Sequence, residues 1–159
     1  MPMDFRIALA LPSDIEVLAR LLGAQLEEHG IALERERLFA AIEGALEIPD
    51  RGEFLLARLG SEAVGVAYVS FTWSLEHGGK SAWLEELYVI PSQRERGIGT
   101  RLLSSVCERA SASGCAAVDL EVESDHVRAA HLYERAGFRP HRRARWVLTP
   151  TKRIPSSTA

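Results

Sequence analysis

The stretch Leu87–Leu103, LYVIPSQRERGIGTRLL, joins a β-strand pattern to a helix pattern through a loop rich in glycine and arginine. The strand pattern ends before Pro91, and apolar residues recur at helical spacing from Ile98 onward. Glycines in such a loop let backbone N–H groups approach a ligand closely, and the first N–H groups of a helix have no partner inside it. The stretch therefore predicts an anion site, typical of phosphate, between a strand and a helix.

Two familiar phosphate motifs do not match this loop. A P-loop has a lysine after its last glycine, whereas Gly99 is followed by Thr100. A dinucleotide fingerprint has a third glycine at the position where this chain has Leu102. The pattern that is present is Arg-x-x-Gly-x-Gly, which begins at Arg94 and includes Gly97.

Outward from this stretch, periodicity and turn residues predict a single mixed α/β unit. Strands are predicted over 5–9, 54–59, 64–73, 81–89, 116–122 and 138–148, and helices occupy most of the remaining chain. Consecutive strands with short turns favour antiparallel pairing, and a strand–helix–strand unit adds a parallel neighbour. We therefore expect an α/β (α+β) fold, in which an antiparallel meander plus one β-α-β crossover forms a mixed sheet flanked by about four helices.

Length and composition indicate one ordinary domain. The chain has 159 residues, of which 47% are hydrophobic and 26% charged, and its net charge is −3. The mild acidity disfavours a general nucleic-acid binder, and no apolar run is long enough to span a membrane. Residues 1–6 lack signal-peptide features, and two cysteines do not suggest a disulfide scaffold, so we expect a cytoplasmic location. We expect one domain over 1–148 and a flexible tail over 149–159.

A second stretch makes the glycine loop more specific. The loop, with Leu-Tyr-Val and a proline before it, resembles the coenzyme A loop of the GNAT superfamily of acyl-CoA-dependent N-acyltransferases. The segment AAHLYERAGF, from Ala129 to Phe138, is similar to the superfamily's second signature. The order of elements from Phe5 to Leu148 is also similar to that of the superfamily. The resemblance implies the GNAT fold and acetyl-CoA as co-substrate. No histidine or cysteine cluster has metal-ligand spacing, so we expect no metal.

The resemblance implies a coenzyme site along the strand, the loop and two helices. Backbone N–H groups from 96 to 100 would hold the pyrophosphate, and the strand before Pro91 would separate from its neighbour, usually at a bulge, to pair with the pantetheine arm. The Val89 amide would polarise the thioester carbonyl. At the position of His126, many members have an asparagine. The residues assigned to the coenzyme are Leu87, Tyr88, Val89, Arg94, Glu95, Arg96, Gly97, Ile98, Gly99, Thr100, His126, Ala129 and Tyr133.

Acyl transfer to an amine requires an acid and a base. Free alkylamines have a pKa near ~10.4, so a base must remove a proton before attack on the thioester. Alternation along a strand predicts that Glu85 and Glu86 point to opposite faces, with Glu85 on the face of Leu87. The resemblance assigns Glu85 as base, with Glu86 as fallback or as a holder of the ammonium, and Tyr133 as general acid. The alternatives are a solvated or ion-paired glutamate and a core tyrosine.

The acceptor is less constrained by the sequence. In the superfamily it is bound by the first two helices, the loop between them and the meander hairpin, which implies Glu28, Trp73 and Glu86 as acceptor residues. Acids in that region suit a small cationic amine, and solvated helix faces are the alternative. The stretch 84–89, LEELYV, is similar to the matching stretch of diamine and polyamine acetyltransferases.

Other functions stay open at this point. One is a non-catalytic acyl-CoA-binding or sensing module on the same fold, and another is acetylation of a protein lysine or N-terminus. A nucleic-acid-binding module rests on the basic run over 141–145, but the overall acidity favours an edge strand protected by charge. A homodimer is possible, since dimers are common in the superfamily.

Overall fold

The computed structural model describes residues 4–150, and a five-stranded sheet lies at its centre with helices on both faces. The strands are β1 (Phe5–Leu9), β2 (Gly52–Leu59), β3 (Glu62–Ser74), β4 (Gly79–Val89) and β5 (Val118–Leu120). The helices are α1 (Ile15–Glu28), α2 (Arg35–Glu47), α3 (Ile98–Ala112) and α4 (Val127–Arg135). Short 3-10 turns lie at Pro12–Asp14, Pro49–Arg51 and Pro91–Gln93.

The sheet combines a meander with one crossover. Strands β1 to β4 lie side by side in chain order and are antiparallel, whereas β5 is parallel to β4. Because parallel neighbours cannot be joined by a tight turn, α3 carries the chain from β4 back to the start of β5. The expected fold class is confirmed.

An irregularity in β4 decides where the sheet opens. Tyr68 of β3 pairs with Glu86, but the next residue, Val69, pairs with Leu84, so Glu85 is an extra residue in a β-bulge. Strand β5 pairs with β4 only as far as Leu84. Within the described residues the two parallel strands have no pairing beyond that point. The expected separation of these strands at a bulge is confirmed.

The core has two halves, one on each face of the sheet. In β2, Leu55 and Ala57 pack against α3, whereas Phe54 and Leu56 pack against α1 and α2. This alternation is what a strand covered on both faces produces. Fully burying a leucine of α3 such as Leu102 stabilises the fold by roughly 1.5–3 kcal/mol. The core thereby holds α3, and the loop before it, against β4.

The C-terminal part of the chain differs from expectation. The predicted last strand over 138–148 is not formed; the segment is irregular within the described residues. Pro140 has no N–H for a ladder. Arg143 and Arg145 are instead held by Glu76 and Glu121, each at 2.7 Å.

Of the remaining predictions, one strand is shorter than expected and the extent of the C-terminal tail stays untested. The strand expected over 116–122 is reduced to β5, since its pairing with β4 covers three residues. Residues 151–159, which make up most of the tail predicted over 149–159, lie outside the described residues. The domain boundary at 148 therefore stays a prediction.

Candidate active site

A cavity of about 880 Å³ lies where β4 and β5 separate. Strand β4, the end of α1, the first turn of α3, the segment after β5 and helix α4 form its walls. Of the residues assigned from the sequence, those that line it are Glu28, Glu85, Glu86, Leu87, Tyr88, Val89, Arg94, Glu95, Gly97, Ile98, Gly99, Thr100, His126, Ala129 and Tyr133. Arg96 and Trp73 are not among its lining residues, and Trp73 is 76% exposed near the end of β3.

The loop that enters α3 presents backbone donors to this cavity. Glu95 and Gly97 have left-handed backbone, with φ of 62° and 80°, and Gly97 is the N-cap of α3. The first hydrogen bond inside the helix runs from the Arg101 N–H to the Gly97 carbonyl oxygen at 3.0 Å. The N–H groups of residues 98–100 therefore have no partner within the helix. Together with the positive end of the helix dipole they form an anion site.

Arg94 makes its contacts with the protein wall. Its Nε donates to the Val89 carbonyl oxygen at 2.8 Å, and its Nη2 donates to both carboxylate oxygens of Glu28, at 2.9 and 2.7 Å. The guanidinium also lies over the ring of Tyr88, 5.5 Å from its centroid. The structure thus pairs Arg94, which was assigned to the coenzyme, with Glu28, which was assigned to the acceptor.

The bulge changes the direction of the two acids in β4. Glu85 Oε1 accepts a hydrogen bond from Ser70 Oγ at 2.8 Å, and Ser70 lies on the same face of β3 as Tyr68, which packs with α1 and α2. Glu86 lies near His29 at the end of α1. Both acids therefore point to the α1 side. The expectation that they face opposite ways, with Glu85 beside the apolar residues of the other face, is wrong because the extra bulge residue breaks the alternation.

Glu86 and Tyr133 interact electrostatically across the gap in the sheet. Glu86 is half-buried; burial raises the pKa of its carboxyl, the charge of Glu85 raises it further, and His29 opposes the shift. Burial also raises the pKa of the Tyr133 phenol, and the charge of Glu86 adds to that rise. Glu86 therefore keeps its proton to a higher pH than an ordinary glutamate, and Tyr133 stays protonated across the neutral range.

Two histidines stand between the walls of the cavity. The rings of His29, just after α1, and His126, at the N-cap of α4, are edge to face with centroids 6.5 Å apart. His126 thus lies beside the end of α1 as well as at the start of the helix assigned to the coenzyme. This contact was not expected from the sequence, since the two residues are far apart in the chain.

Sequence reasoning missed the acids that follow β5. Glu121 and Glu123 line the cavity directly after that strand. A usable signal existed, because ligands bind beyond the carboxyl ends of neighbouring parallel strands. It was not decisive, since the end of β5 is set by its pairing with β4 and not by a turn residue.

Other kinds of site are not indicated by the described residues. No group of three or more His, Cys, Asp and Glu in residues 4–150 is arranged to hold a metal ion. Over the same residues, each helix is too short or too polar to cross a membrane. Cys107 and Cys115 are both free thiols, and burial raises the pKa of each.

Comparison with known families assigns the class of protein that this fold and cavity define. The model of the acetyltransferase (GNAT) family matches residues 17–138, which is more than half of the chain. The chain therefore belongs to the GNAT acetyltransferase family, and the resemblance carried by the loop and the second signature is confirmed. The enzyme class expected from that resemblance, the acyl-CoA-dependent N-acetyltransferases, is confirmed with it.

Curated relatives are similar over different lengths. A thialysine N-ε-acetyltransferase from Mus musculus is 36% identical over 81 residues, which cover 49% of this chain and 45% of that protein. An uncharacterized N-acetyltransferase, YhfO, from Bacillus subtilis is 28% identical over 83% of this chain and 88% of its own length. The chain therefore spans about half the length of the mouse relative and most of the bacterial one.

Solved structures share the fold. An integron cassette protein from the mobile metagenome of Cole Harbour Salt Marsh has a TM-score of 0.81 and 28% identity, covering 90% of this chain and 89% of that one. An aminoglycoside N-acetyltransferase in complex with CoA has a TM-score of 0.80 and 19% identity, covering 92% of this chain and 95% of that one. The second likeness concerns the fold alone.

Proposed function

We propose that the protein transfers the acetyl group of acetyl-CoA to the primary amine of a small cationic molecule, by direct attack in a ternary complex. The observation that carries the proposal is one continuous cavity. It joins the donor-rich start of α3 to Glu86 and Tyr133 along the open edge of β4. A ligand that is anionic at one end and reactive at the other fits such a site.

The coenzyme site follows from the proposal as an arrangement of backbone groups. The N–H groups at 96–100 bind the pyrophosphate, and the open edge of β4 pairs with the pantetheine arm. The Val89 amide then faces the thioester carbonyl and stabilises negative charge on its oxygen. His126 and Ala129, at the start of α4, line the same path.

The chemistry is assigned to one acid and one base. The amine nitrogen attacks the thioester carbon, the carbon–sulfur bond breaks, and one proton leaves the amine while another reaches the thiolate. Glu86, rather than Glu85, takes the amine proton, because burial raises the pKa of its carboxyl and because it interacts electrostatically with Tyr133. Tyr133 gives a proton to the departing thiolate. Glu85, exposed and bonded to Ser70, contributes negative charge near the acceptor.

Charge around the cavity supports a cationic acceptor. Glu28 and Glu121 are neutralised by Arg94 and Arg145. Neither Glu85 nor Glu86 is in an ion pair within the described part of the chain, so these two carboxyls are available to a cationic acceptor. The names of the mouse thialysine enzyme and of the structurally similar aminoglycoside enzyme both describe N-acetylation of small amine-bearing molecules. The alternatives are a protein lysine or N-terminus as acceptor, and a non-catalytic acyl-CoA sensor.

Location and assembly are part of the proposal. A cytoplasmic location suits an enzyme that uses acetyl-CoA and keeps both cysteines as free thiols. A homodimer stays a prediction. Nucleic acid is not a proposed partner, since two arginines of the 141–145 run, Arg143 and Arg145, pair with acids of the same chain.

Thiol release from acetyl-CoA with a panel of amines tests the proposal. The panel contains spermidine, thialysine, neamine, a lysine-containing peptide and a peptide with a free N-terminus. Turnover with a small cationic amine is expected, and Glu86→Gln lowers kcat about 100-fold while the matched Glu85→Gln lowers it less than about 10-fold. Turnover with the peptides alone would assign a protein acceptor. Coenzyme binding without turnover on any amine would assign the sensor.

A further inference from the structure

Arg94 connects three parts of the cavity wall through one planar guanidinium. Arg94 is the first residue of the Arg-x-x-Gly-x-Gly loop. Its guanidinium donates to the Val89 carbonyl oxygen at the end of β4 and to both carboxylate oxygens of Glu28 on the last turn of α1. The guanidinium also lies over the Tyr88 ring. A rigid fork of this kind loses little side-chain freedom for each hydrogen bond that it forms. The three contacts therefore act as a strut between the last turn of α1, the end of β4 and the start of the glycine loop.

The two ends of the strut belong to different parts of the proposed site. Glu28 is the last residue of α1, one residue before His29, which faces Glu86. Arg94 lies three residues before Gly97, where the anion site begins. The ion pair thus joins the end of α1, which forms the acceptor wall of the proposed site, to the glycine loop before α3, which forms the coenzyme loop.

We infer that Arg94 is a positioning residue whose pair with Glu28 couples coenzyme binding to the acceptor wall. The inference rests on the proposed function. In this role Glu28 acts through Arg94 and does not bind the acceptor itself. Because binding free energies are linked, each substrate then binds more tightly when the other is present.

The direction in which the Kd for coenzyme A changes in one variant distinguishes the strut from simple electrostatic attraction. Removing the negative charge of Glu28 next to a polyphosphate site strengthens coenzyme A binding if only Coulomb attraction matters. Loss of the strut instead weakens it. We expect Glu28→Gln to raise the calorimetric Kd for coenzyme A about fivefold or more. The matched control Glu27→Gln, the same charge change one residue earlier, leaves the Kd unchanged or slightly lower.

A double-mutant cycle completes the test. In an Arg94→Gln background, Glu28→Gln is expected to have little further effect on the Kd for coenzyme A. Arg94→Lys keeps the charge but loses the planar fork, so we expect its Kd to be close to that of Arg94→Gln. Equal effects of Glu28→Gln in both backgrounds, or unchanged or tighter binding in the single variant, overturn the inference. Wild-type protein that binds no coenzyme A refutes the proposed function instead. Circular dichroism melting checks that each variant is folded. If Arg94→Gln does not fold, Arg94→Lys takes its place as the background of the cycle.

The acceptor side gives a second readout. With the best amine of the panel, Glu28→Gln is expected to raise the KM for acetyl-CoA as well as the KM for the amine, because the strut serves both walls. A rise in the amine KM alone would make Glu28 a direct acceptor ligand and overturn its assignment as a positioning partner.

Discussion

At the scale of single residues, the ionisation of Glu86 links the site to the stability of the fold. Burial, and then the charge of Glu85, raise the pKa of this carboxyl in the native state. A carboxyl whose folded-state pKa is raised binds its proton more tightly when folded. Its contribution to stability is therefore present at acid pH and is lost as the pH rises through the folded-state pKa.

Glu86→Gln should consequently stabilise the protein in a pH-dependent way. A glutamine cannot ionise, so we expect the Tm at pH 7 to rise by about 2–4 °C, with little change at pH 4. Differential scanning calorimetry at the two pH values measures this. Glu85→Gln serves for comparison: it removes only the repulsion from Glu85, the smaller of the two causes, and should raise the Tm at pH 7 by less than Glu86→Gln does. A lower Tm at pH 7 for Glu86→Gln would show that its charge stabilises the fold, contrary to the argument.

The pH dependence of kcat follows from the same two groups. Under the proposed mechanism Glu86 works when deprotonated, so kcat rises with pH through a pKa above the 4.5 of an ordinary glutamate. Tyr133 works when protonated, and its raised pKa keeps the plateau beyond pH 10. Tyr133→Phe should lower the plateau about 100-fold and keep the acidic limb, whereas Glu86→Gln should remove that limb. An acidic limb that survives in Glu86→Gln would assign the base elsewhere.

At the scale of elements, the backbone of β3 approaches the first residue of β2 so closely that it limits which residue can stand there. A Cβ added at Gly52, the first residue of β2, would lie 2.2 Å from the Val69 carbonyl oxygen and 3.0 Å from Ser70 Cα. These are backbone atoms of β3, and displacing them would disturb the sheet. Gly52→Ala should therefore destabilise the protein by about 2–3 kcal/mol. Urea unfolding followed by circular dichroism measures the loss.

A helix glycine provides the control for this prediction. In α1, a Cβ added at Gly23 would meet Leu38 Cδ2 at 3.7 Å, an ordinary contact. Because alanine is the better helix former, Gly23→Ala should stabilise the protein by about 0.5–1 kcal/mol. Equal effects of the two substitutions would mean that the approach of β2 to β3 does not limit the sheet.

At the scale of the whole molecule, the core beneath α3 holds the coenzyme loop in place. Leu102 is fully buried between α3 and the sheet, and its Cδ1 would lie 3.1 Å from a Cβ added at Gly65. Leu102→Ala should therefore cost about 2–5 kcal/mol in the free energy of unfolding, measured in urea. The control Leu75→Ala, at a leucine that is 89% exposed, should change it by less than about 0.5 kcal/mol.

Much of the architecture could be predicted because its signals are local. The glycine loop, the helical spacing from Ile98 and the Gly-Phe after α4 each reflect neighbours in the chain, and the fold built from them is confirmed. The strand expected over 138–148 was wrong because apolar and basic residues suit a ladder only if a partner edge is available. Pro140 lies in the segment itself and disfavours a ladder, but the distant acids that bind Arg143 and Arg145 appear in no local pattern.

The site shows the same division between local and distant information. Most of the residues assigned from the sequence line the cavity, since they follow one another along β4, the loop and two helices. The direction of Glu85 and Glu86 was not, because a bulge appears only when the register with β3 is known. The raised pKa of Glu86 depends on its burial, which is likewise a property of the packed chain.

The sequence by itself determined the class of fold and the family, because glycine positions, periodicity and the two signatures are fixed along the chain. Only the tertiary structure decided that both acids of β4 face α1, that Arg94 binds Glu28 across 66 positions of sequence, and that Trp73 lies outside the cavity. The physical reason is that strand register, burial and ion pairing are energies between residues distant in the chain. They exist only once the sheet and its helices have packed.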